Sequence, residues 1–334
     1  MRELLLGVAR RCGVYRLARQ VTRKHLRILA YHGIWTTPGY QYGNHLFITP
    51  EAFERRMAWL KNSGYPVLPL DYAVQRLAED ALPDYSVVIT IDDGWSSTYS
   101  HMLPVLEALG LPATVYVTTW YAENQVPIIN VVIDYILKRV GQSASRVSAL
   151  TRDILRQPLG ERQRALRQLA ARFDVSTDEW WETRQFHLMN MAEIGDAARR
   201  GLDIQLHTHR HTMDELDREI ADNRDTLARA CVRPASSFGH FCYPSGEYDA
   251  DDIPILRTAG VKSAVLVDTG TNAPTANPFL LRRFLDGRSI SQEFFEAYLA
   301  GSSELYARVR PKKIATRASV AQTGGDRERL PAGN

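Results

Sequence analysis

Two short motifs combine residue types that can bind a metal ion or transfer a proton. In the first, Asp92 and Asp93 are adjacent carboxylates followed by Gly94, and they come directly after the apolar run 87–91. Neighbouring side chains on an extended segment point to opposite faces, so this pair cannot flank a glycosidic bond as two glycosidase carboxylates about 5–9 Å apart do. The two carboxylates therefore have different tasks, although an isolated Asp-Asp-Gly sequence also fits the N-cap of a helix.

The second motif is a cluster of three histidines, His207, His209 and His211, directly after the apolar run 204–206. Imidazoles four residues apart can bind one metal ion, but Thr208 occupies the position where a zincin protease has its catalytic glutamate. A His207 and His211 pair can equally be structural. Joined by a carboxylate from a neighbouring strand end, it completes a His₂Asp ligand set with one coordination position open for water. We expect His209 to point away from such a metal.

A third segment consists of Tyr243, Pro244, Ser245 and Gly246, again after an apolar stretch. Proline and glycine fix a loop whose backbone N–H groups can serve as donors to an oxyanion. By itself the segment is only a turn. All three motifs nevertheless follow predicted strands, which favours a shared functional edge.

The elements that must position these motifs alternate between strand and helix. Apolar runs without polar alternation predict buried strands, and helical spacing between them predicts a parallel sheet covered on both sides. The predicted strands are 28–33, 86–91, 113–118, 203–206, 237–243 and 263–267, and the predicted helices between them include 50–64, 102–109, 214–231 and 251–259. The sequence therefore predicts an α/β fold with its chemistry at the carboxyl ends of the strands.

Three segments depart from this alternation. Residues 1–27 combine Leu and Val with many Arg and Lys, which predicts a basic amphipathic helix that either packs on the main domain or lies against anionic lipid. Residues from about 120 to 195 contain helical patterns without a strong strand, which predicts a helical insertion within a main domain spanning 28–308. The tail 309–334 is rich in Lys, Arg, Ala and Gly, and we expect it to be disordered.

Composition excludes several classes of protein. The 334 residues carry 41 Lys and Arg against 38 Asp and Glu, and a formal charge of +3 is too small to predict nucleic-acid binding. The three cysteines form no CxxC pair, so neither a disulfide framework nor a cysteine zinc site is expected. No apolar run approaches a membrane span or a signal-peptide core, so we expect a cytoplasmic protein, with peripheral membrane contact through residues 1–27 as the alternative.

The ordered set of motifs resembles the polysaccharide deacetylases, a family of carbohydrate esterases similar to chitooligosaccharide deacetylases. Residues 90–94 resemble the family's first motif, and His207-Thr208 with His211 resembles the second. Residues 29–34 and 241–248 are similar to bacterial exopolysaccharide members. The resemblance spans about 28–300, apart from the insertion, and it implies a distorted (β/α) barrel of about seven units.

The resemblance also implies roles for the motif residues. Asp92 would be the general base, and Asp93, His207 and His211 would bind a divalent metal, usually Zn²⁺, that polarises an N-acetyl carbonyl and holds the attacking water. The substrate would be an N-acetylated amino-sugar polysaccharide or its lipid-linked precursor. Residues 243–245 (Tyr243, Pro244 and Ser245) would contact it, with the oxyanion near a backbone N–H of Ser245.

Two departures from the family pattern concern catalytic groups. Cys242 stands where the family usually has the arginine that orients the base, and no histidine occurs after His240 to protonate the leaving amine. Histidine is the side chain best suited to that proton transfer at neutral pH. His32 is the first candidate, because it closes the first predicted strand just before Gly33. His240 is the second candidate and His209 the third.

Two other functions are compatible with the sequence. The missing arginine and histidine are compatible with a catalytically silent relative that only binds carbohydrate. The metal-ligand set is compatible with an amidohydrolase or O-deacetylase acting on small molecules.

Overall fold

A closed barrel of seven parallel strands forms the centre of the molecule. The computed structural model describes residues 13–302 and residue 304. Within them the strands follow one another around the barrel in chain order, and the last pairs with the first. They are β1 (Arg27–Tyr31), β2 (Val87–Ile91), β3 (Thr114–Val117), β4 (Asp203–Leu206), β5 (His240–Cys242), β6 (Ser263–Thr269) and β7 (Leu281–Leu285). The distorted (β/α) barrel of about seven units is thus confirmed.

Helices cover the barrel because the strands are apolar on both faces. The described residues contain thirteen. They are α1 (Val14–Val21), α2 (Pro50–Asn62), α3 (Leu70–Ala78), α4 (Leu103–Leu109), α5 (Thr119–Asn124), α6 (Ile129–Arg139), α7 (Val147–Leu155), α8 (Leu159–Arg172), α9 (Asp178–Glu182), α10 (Met191–Arg199), α11 (Leu216–Cys231), α12 (Asp252–Thr258) and α13 (Gln292–Leu299). Local sequence sets their ends: the Thr49 hydroxyl accepts a hydrogen bond from the Ala52 N–H at the start of α2, and Gly110 adopts φ 60° after α4.

Strand β7 is an element that the apolar pattern did not identify. Its sequence carries Arg282 and Arg283 in the centre, so it does not read as a buried strand. The predicted strand 237–243 is a strand only over His240–Cys242. The barrel therefore closes through a segment that looks polar in sequence.

Between β3 and β4 the described chain contains six α-helices, α5 to α10, and no strand. These helices enclose a hydrophobic cluster separate from the barrel core, with Ile129, Ile133, Ile136 and Phe186 all fully buried. Trp35 and Phe47, from the loop between β1 and α2, belong to the same cluster. The helical segment thus packs against that loop at the carboxyl ends of the strands.

The amino ends of the strands are covered by α1. Its Ala18 is buried, whereas Val14, Leu17 and Val21 are exposed on the other face. Arg27, at the end of the predicted segment 1–27, is instead the first residue of β1, where its buried guanidinium donates to the Leu299 carbonyl. Leu299 ends α13, which returns the chain to this end of the barrel.

After α13, Gly301 lies against Thr22, the residue that follows α1. No helix in the described part of the chain has the length and apolar character needed to span a membrane. Residues 1–12 and the predicted tail 309–334 lie outside the described residues.

Candidate metal and catalytic site

The three motifs meet in one pocket at the carboxyl ends of the strands. Asp92 follows β2, His207 follows β4 and Tyr243 follows β5. The pocket has a volume of about 380 Å³. Among the residues predicted for the site it is lined by His32, Asp92, Asp93, His207, His211, Tyr243 and Ser245. Pro244 does not line it; this proline is buried in the turn beneath.

Asp93, His207 and His211 form a group suited to one metal ion. One potential ligand atom from each residue lies within 4.8 Å of the others. The Nε2 atom of His207 is 3.1 Å from Oδ1 of Asp93, and the Nε2 atom of His211 is 3.6 Å from the same oxygen. Two imidazole nitrogens and one carboxylate oxygen are a donor set typical of a catalytic zinc site with an open position.

Neighbouring groups fix the orientation of these side chains. Nδ1–H of His207 donates to the Cys242 carbonyl at 2.8 Å, which leaves Nε2 directed towards Asp93. The indole N–H of Trp95 donates to Oδ2 of Asp93 at 2.8 Å, which leaves Oδ1 directed towards the histidines. Hydrogen bonds of this kind set the tautomer and direction of metal ligands. The residues present therefore fit a divalent metal ion.

The backbone of the site is in an uncommon conformation. Asp93, His211 and Ser245 have φ values of 66°, 59° and 56°, and Thr208 has 61°. Residues other than glycine rarely adopt the left-handed region, although Asp and His do so more often than most. Such conformations cost free energy and cluster at functional sites. Here they direct the side chains after β2 and β4 into the same pocket.

The pKa values of His211 and Asp93 favour metal binding, whereas that of His207 does not. Burial would lower the pKa of His207, but the neighbouring Cys242 and the hydrogen bond with Asp93 outweigh it and raise the pKa well above its ordinary value. Burial, followed by the neighbouring His207, lowers the pKa of His211 to about 4, so this imidazole is neutral at pH 7. Burial by itself would raise the pKa of Asp93, but the His207 hydrogen bond and the nearby imidazoles outweigh it and hold the pKa well below its usual range. A neutral imidazole and an ionised carboxylate are the forms that bind a metal ion.

Asp92 lies beside the ligand group and is held by an arginine from β7. The two guanidinium nitrogens Nη1 and Nη2 of Arg283 donate to the two Asp92 oxygens, each at 2.7 Å. The remaining N–H groups of Arg283 donate to the Leu266 carbonyl, to Thr90 Oγ1 and to Cys242 Sγ. Both charged groups are buried, and all the donors of the guanidinium have partners.

Arg283 determines the charge of Asp92. Burial in the barrel would raise the pKa of this carboxyl, but the charge and hydrogen bonds of Arg283 outweigh burial, and the net pKa lies below its ordinary value. Asp92 is thus ionised at neutral pH and available to accept a proton. In the sequence, Cys242 stands where the family usually has the arginine that orients the base. In the structure, Arg283 contacts the base from a different strand, β7.

The histidines considered for the remaining proton transfer occupy different places. His32 follows β1, and its Nε2 atom is 3.8 Å from Oδ2 of Asp92. Its Nδ1 atom is buried and has no partner among the described residues. His240 lies at the amino end of β5, bonded to Ser263 and Asp71, so it cannot reach the pocket. His209 bonds to Thr119 and faces Glu123, away from the metal ligands.

The turn after β5 presents one backbone donor. The N–H groups of Gly246 and Glu247 are taken by the carbonyls of Tyr243 and Pro244. The N–H of Ser245 has no partner in the described part of the chain, and Ser245 lines the pocket. The Tyr243 hydroxyl donates to the Phe279 carbonyl, so it is the ring of Tyr243 that borders the pocket.

Sequence patterns did not identify two residues of the site, Trp95 and Arg283. Trp95 directly follows the Asp-Asp-Gly motif, and its position was a usable signal because a donor so close in sequence can reach Asp93. Arg283 carried no local signal, because it contacts Asp92 from 191 residues away.

Known proteins match this chain in sequence. A family model described as polysaccharide deacetylase matches residues 79–264, which is more than half of the chain. The Bacillus subtilis (strain 168) protein YxkH, whose name places it among the polysaccharide deacetylases, is 22% identical over 281 residues, which are 82% of this chain and 76% of that protein. The poly-β-1,6-N-acetyl-D-glucosamine N-deacetylase of Escherichia coli (strain K12) is 36% identical over 69 residues, which are 20% of this chain and 10% of that enzyme.

Solved structures share the fold. The Streptococcus pyogenes deacetylase PplD, in complex with acetate, has a TM-score of 0.59 and 18% identity, with 83% of this chain and 99% of that chain covered. IcaB from Ammonifex degensii has a TM-score of 0.55 and 19% identity, with 83% of this chain and 97% of that chain covered. At these identities the likeness establishes the barrel architecture.

Proposed function

Because this chain belongs to the polysaccharide deacetylase family, we propose that it hydrolyses the N-acetyl groups of an amino-sugar polysaccharide or of its lipid-linked precursor. One observation carries the proposal: Asp92, whose carboxylate is paired with the buried Arg283, lines the same pocket as Asp93, His207 and His211. A proton acceptor beside three metal ligands is the arrangement that metal-assisted hydrolysis of an amide requires.

The ligand group would hold Zn²⁺ through Oδ1 of Asp93 and the two histidine nitrogens. A bound ion would supply Lewis acidity to the acetyl carbonyl and to the attacking water. Asp92 accepts the proton of the attacking water, while Arg283 keeps this carboxylate fixed in position. The Ser245 N–H donates to the oxyanion that develops on the acetyl oxygen as water attacks the carbonyl carbon.

The remaining step is protonation of the leaving nitrogen. We assign this step to His32, which lines the pocket beside Asp92. As the C–N bond breaks, the imidazolium of His32 transfers its proton to the amine, and the products are acetate and a free amino sugar. His32 takes the place of the C-terminal histidine that this chain lacks.

The arrangement argues against a catalytically silent relative. The missing arginine before Pro244 and the missing C-terminal histidine support that alternative. Arg283 makes the contact with the base from β7 instead, and we assign the step of the histidine to His32.

Acetate release tests the proposed function. The purified protein is incubated with β-1,6-linked and β-1,4-linked N-acetylglucosamine oligomers, and acetate and free amine are measured in parallel. We expect equal amounts of the two products, loss of activity with a chelator and recovery with Zn²⁺. The Asp92→Asn variant keeps the metal and loses about 10²–10⁴ in rate, because its amide cannot accept a proton. Full activity of this variant, or no acetate from any N-acetylated oligomer, would contradict the proposal.

A further inference from the structure

Part of the pocket wall is formed by residues outside the metal and catalytic group, from one loop and from the helical segment. The loop between β1 and α2 contributes Asn44 and Leu46, and the helical segment between β3 and β4 contributes Ile128, Asn130 and Val131. None of these five residues takes part in the metal group or in the contacts of Asp92. We call these five residues the recognition wall.

The recognition wall is held rigidly by aromatic packing behind it. Trp35, from the loop, packs against Tyr135 of α6 with ring centroids 5.4 Å apart, and against Phe186 at 5.6 Å. Phe47 packs edge to face on Trp95 at 4.8 Å, which joins the loop to the residue that orients Asp93. The wall is therefore fixed relative to the metal ligands, as a binding surface must be to control position.

Asn44 and Asn130 are presented on this wall in similar ways. The Asn44 Oδ1 atom accepts from the Leu46 N–H at 3.0 Å, and the Asn130 Oδ1 atom accepts from the Val131 N–H at 2.8 Å. Each bond fixes an amide and leaves its Nδ2 group, with two N–H donors, without a partner among the described residues. Both residues line the pocket.

The composition of the wall matches one class of ligand. The side chains of Leu46, Ile128 and Val131 offer an apolar surface, and the two amides offer directed donors beside it. A pyranose ring has an apolar face of C–H groups and a rim of hydroxyl oxygens that accept hydrogen bonds. A small acetylated amine has no such rim, so it would leave both amides unpaired, which costs binding free energy.

We propose that Asn44 and Asn130 are specificity-determining residues whose amides bind hydroxyl oxygens of the N-acetylated sugar, so that the helical segment selects a glycan rather than a small acetylated amine. This inference rests on the proposed function. A pocket of about 380 Å³ lies at the lower end of the range for small-molecule sites, so it holds about one sugar ring, with the adjoining units across its mouth.

Binding without turnover gives the first test. Calorimetry measures the affinity of an N-acetylglucosamine pentamer for the zinc-loaded Asp92→Asn protein, with and without Asn44→Ala or Asn130→Ala. Each added substitution should weaken binding about 3–10-fold, the loss expected for one hydrogen bond. Asn124→Ala is the matched control, because Asn124 bonds to the Trp120 carbonyl in the same helical segment and does not line the pocket. Unchanged affinity in both test variants would overturn the inference.

Steady-state kinetics give the second test. In the Asp92-containing enzyme, the asparagine substitutions should raise KM for the pentamer far more than they lower kcat. The ratio of kcat/KM for the pentamer to that for an aryl acetate should fall about 3–10-fold. An equal loss on both substrates would show a merely structural role and overturn the inference. Tight pentamer binding that depends on both asparagines, without acetate release, would instead contradict the proposed function alone.

Discussion

Arg283 is the neighbour that lowers the pKa of Asp92 most, against the effect of burial. The carboxylate is buried, and Arg283 supplies two hydrogen bonds to it from across the barrel. Breaking a buried ion pair by removing one partner typically costs about 3–5 kcal/mol, because the other charge is left without compensation. The same contact that stabilises the barrel closure therefore also prepares the base for catalysis.

The Arg283→Lys variant tests this dual role. Lysine keeps the charge but loses the bidentate geometry, so the pKa of Asp92 should rise towards its ordinary value. Because the base acts in its ionised form, the acidic limb of the kcat/KM profile should move to higher pH, and Tm should fall. Arg282→Lys is the control, since Arg282 faces Glu304 outside the site. An unchanged acidic limb in Arg283→Lys would show that Arg283 does not set the pKa of Asp92.

His32→Ala tests the assignment of the proton donor. The variant should keep its metal, because His32 is not one of the three ligands, and should lose at least ~10² in kcat. His209→Ala is a suitable comparison, because His209 faces Glu123 and not the ligands. Wild-type kinetics in His32→Ala would require another donor.

At the scale of residues, the sequence identified the groups that lie in local motifs. Asp92 and Asp93 are adjacent, and His207 and His211 are four residues apart, so residue type and spacing were sufficient to mark them. Arg283 and Asn130 could not be found in this way. Their roles depend on contacts across the barrel and on the packing of the helical segment, which no short window of sequence contains.

At the scale of elements, the turn after β5 requires both a free backbone N–H and a left-handed conformation at the same residue, Ser245. Its Ser245 must present an N–H to the pocket while its own φ is 56°. Proline at this position is not a clean probe of the N–H, because proline fixes φ near −65° and would disrupt the turn as well.

A cleaner probe replaces a single atom of the backbone. Ser245→Ala should be nearly silent, because the hydroxyl is not the donor. Lactate has the side chain of alanine but an ester oxygen in place of the backbone N–H, and nonsense suppression can introduce it at position 245. Compared with Ser245→Ala, this variant should lose ~10²–10³ in kcat, as for other lost oxyanion donors. Equal damage in the alanine variant would identify the hydroxyl as the functional group.

Strand β7 shows why apolar patterning identified only part of the barrel. A buried strand with two central arginines contradicts the usual composition of parallel sheets, and only the partner makes it possible. Arg283 is buried because Asp92, Thr90 and the Leu266 carbonyl receive its N–H groups. The apolar sequence of β2 was sufficient to predict a strand. The sequence of β7 is explained only by the contacts that Arg283 makes with other strands in the closed barrel.

At the scale of the whole molecule, α1 leaves an apolar stripe of Val14, Leu17 and Val21 exposed beside Arg16. We propose that this face contacts anionic lipid. The full-length protein should sediment with anionic vesicles and less so as salt rises, because each basic residue near the surface contributes ~1 kcal/mol. Leu17→Glu should reduce sedimentation, whereas Leu159→Glu, at an exposed apolar residue of the helical segment, should not. Equal sedimentation of both variants would leave α1 with a packing role only.

The contact between Gly301 and Thr22 determines from which side a solid support or a fused protein can be attached. It brings the first and last parts of the described chain to one pole of the barrel, and the pocket opens at the opposite pole. A solid support or a fused partner attached beside Thr22 or Gly301 therefore approaches the same pole. The catalytic opening then faces outward in both cases, so immobilised protein should process a polymer too large to diffuse around it.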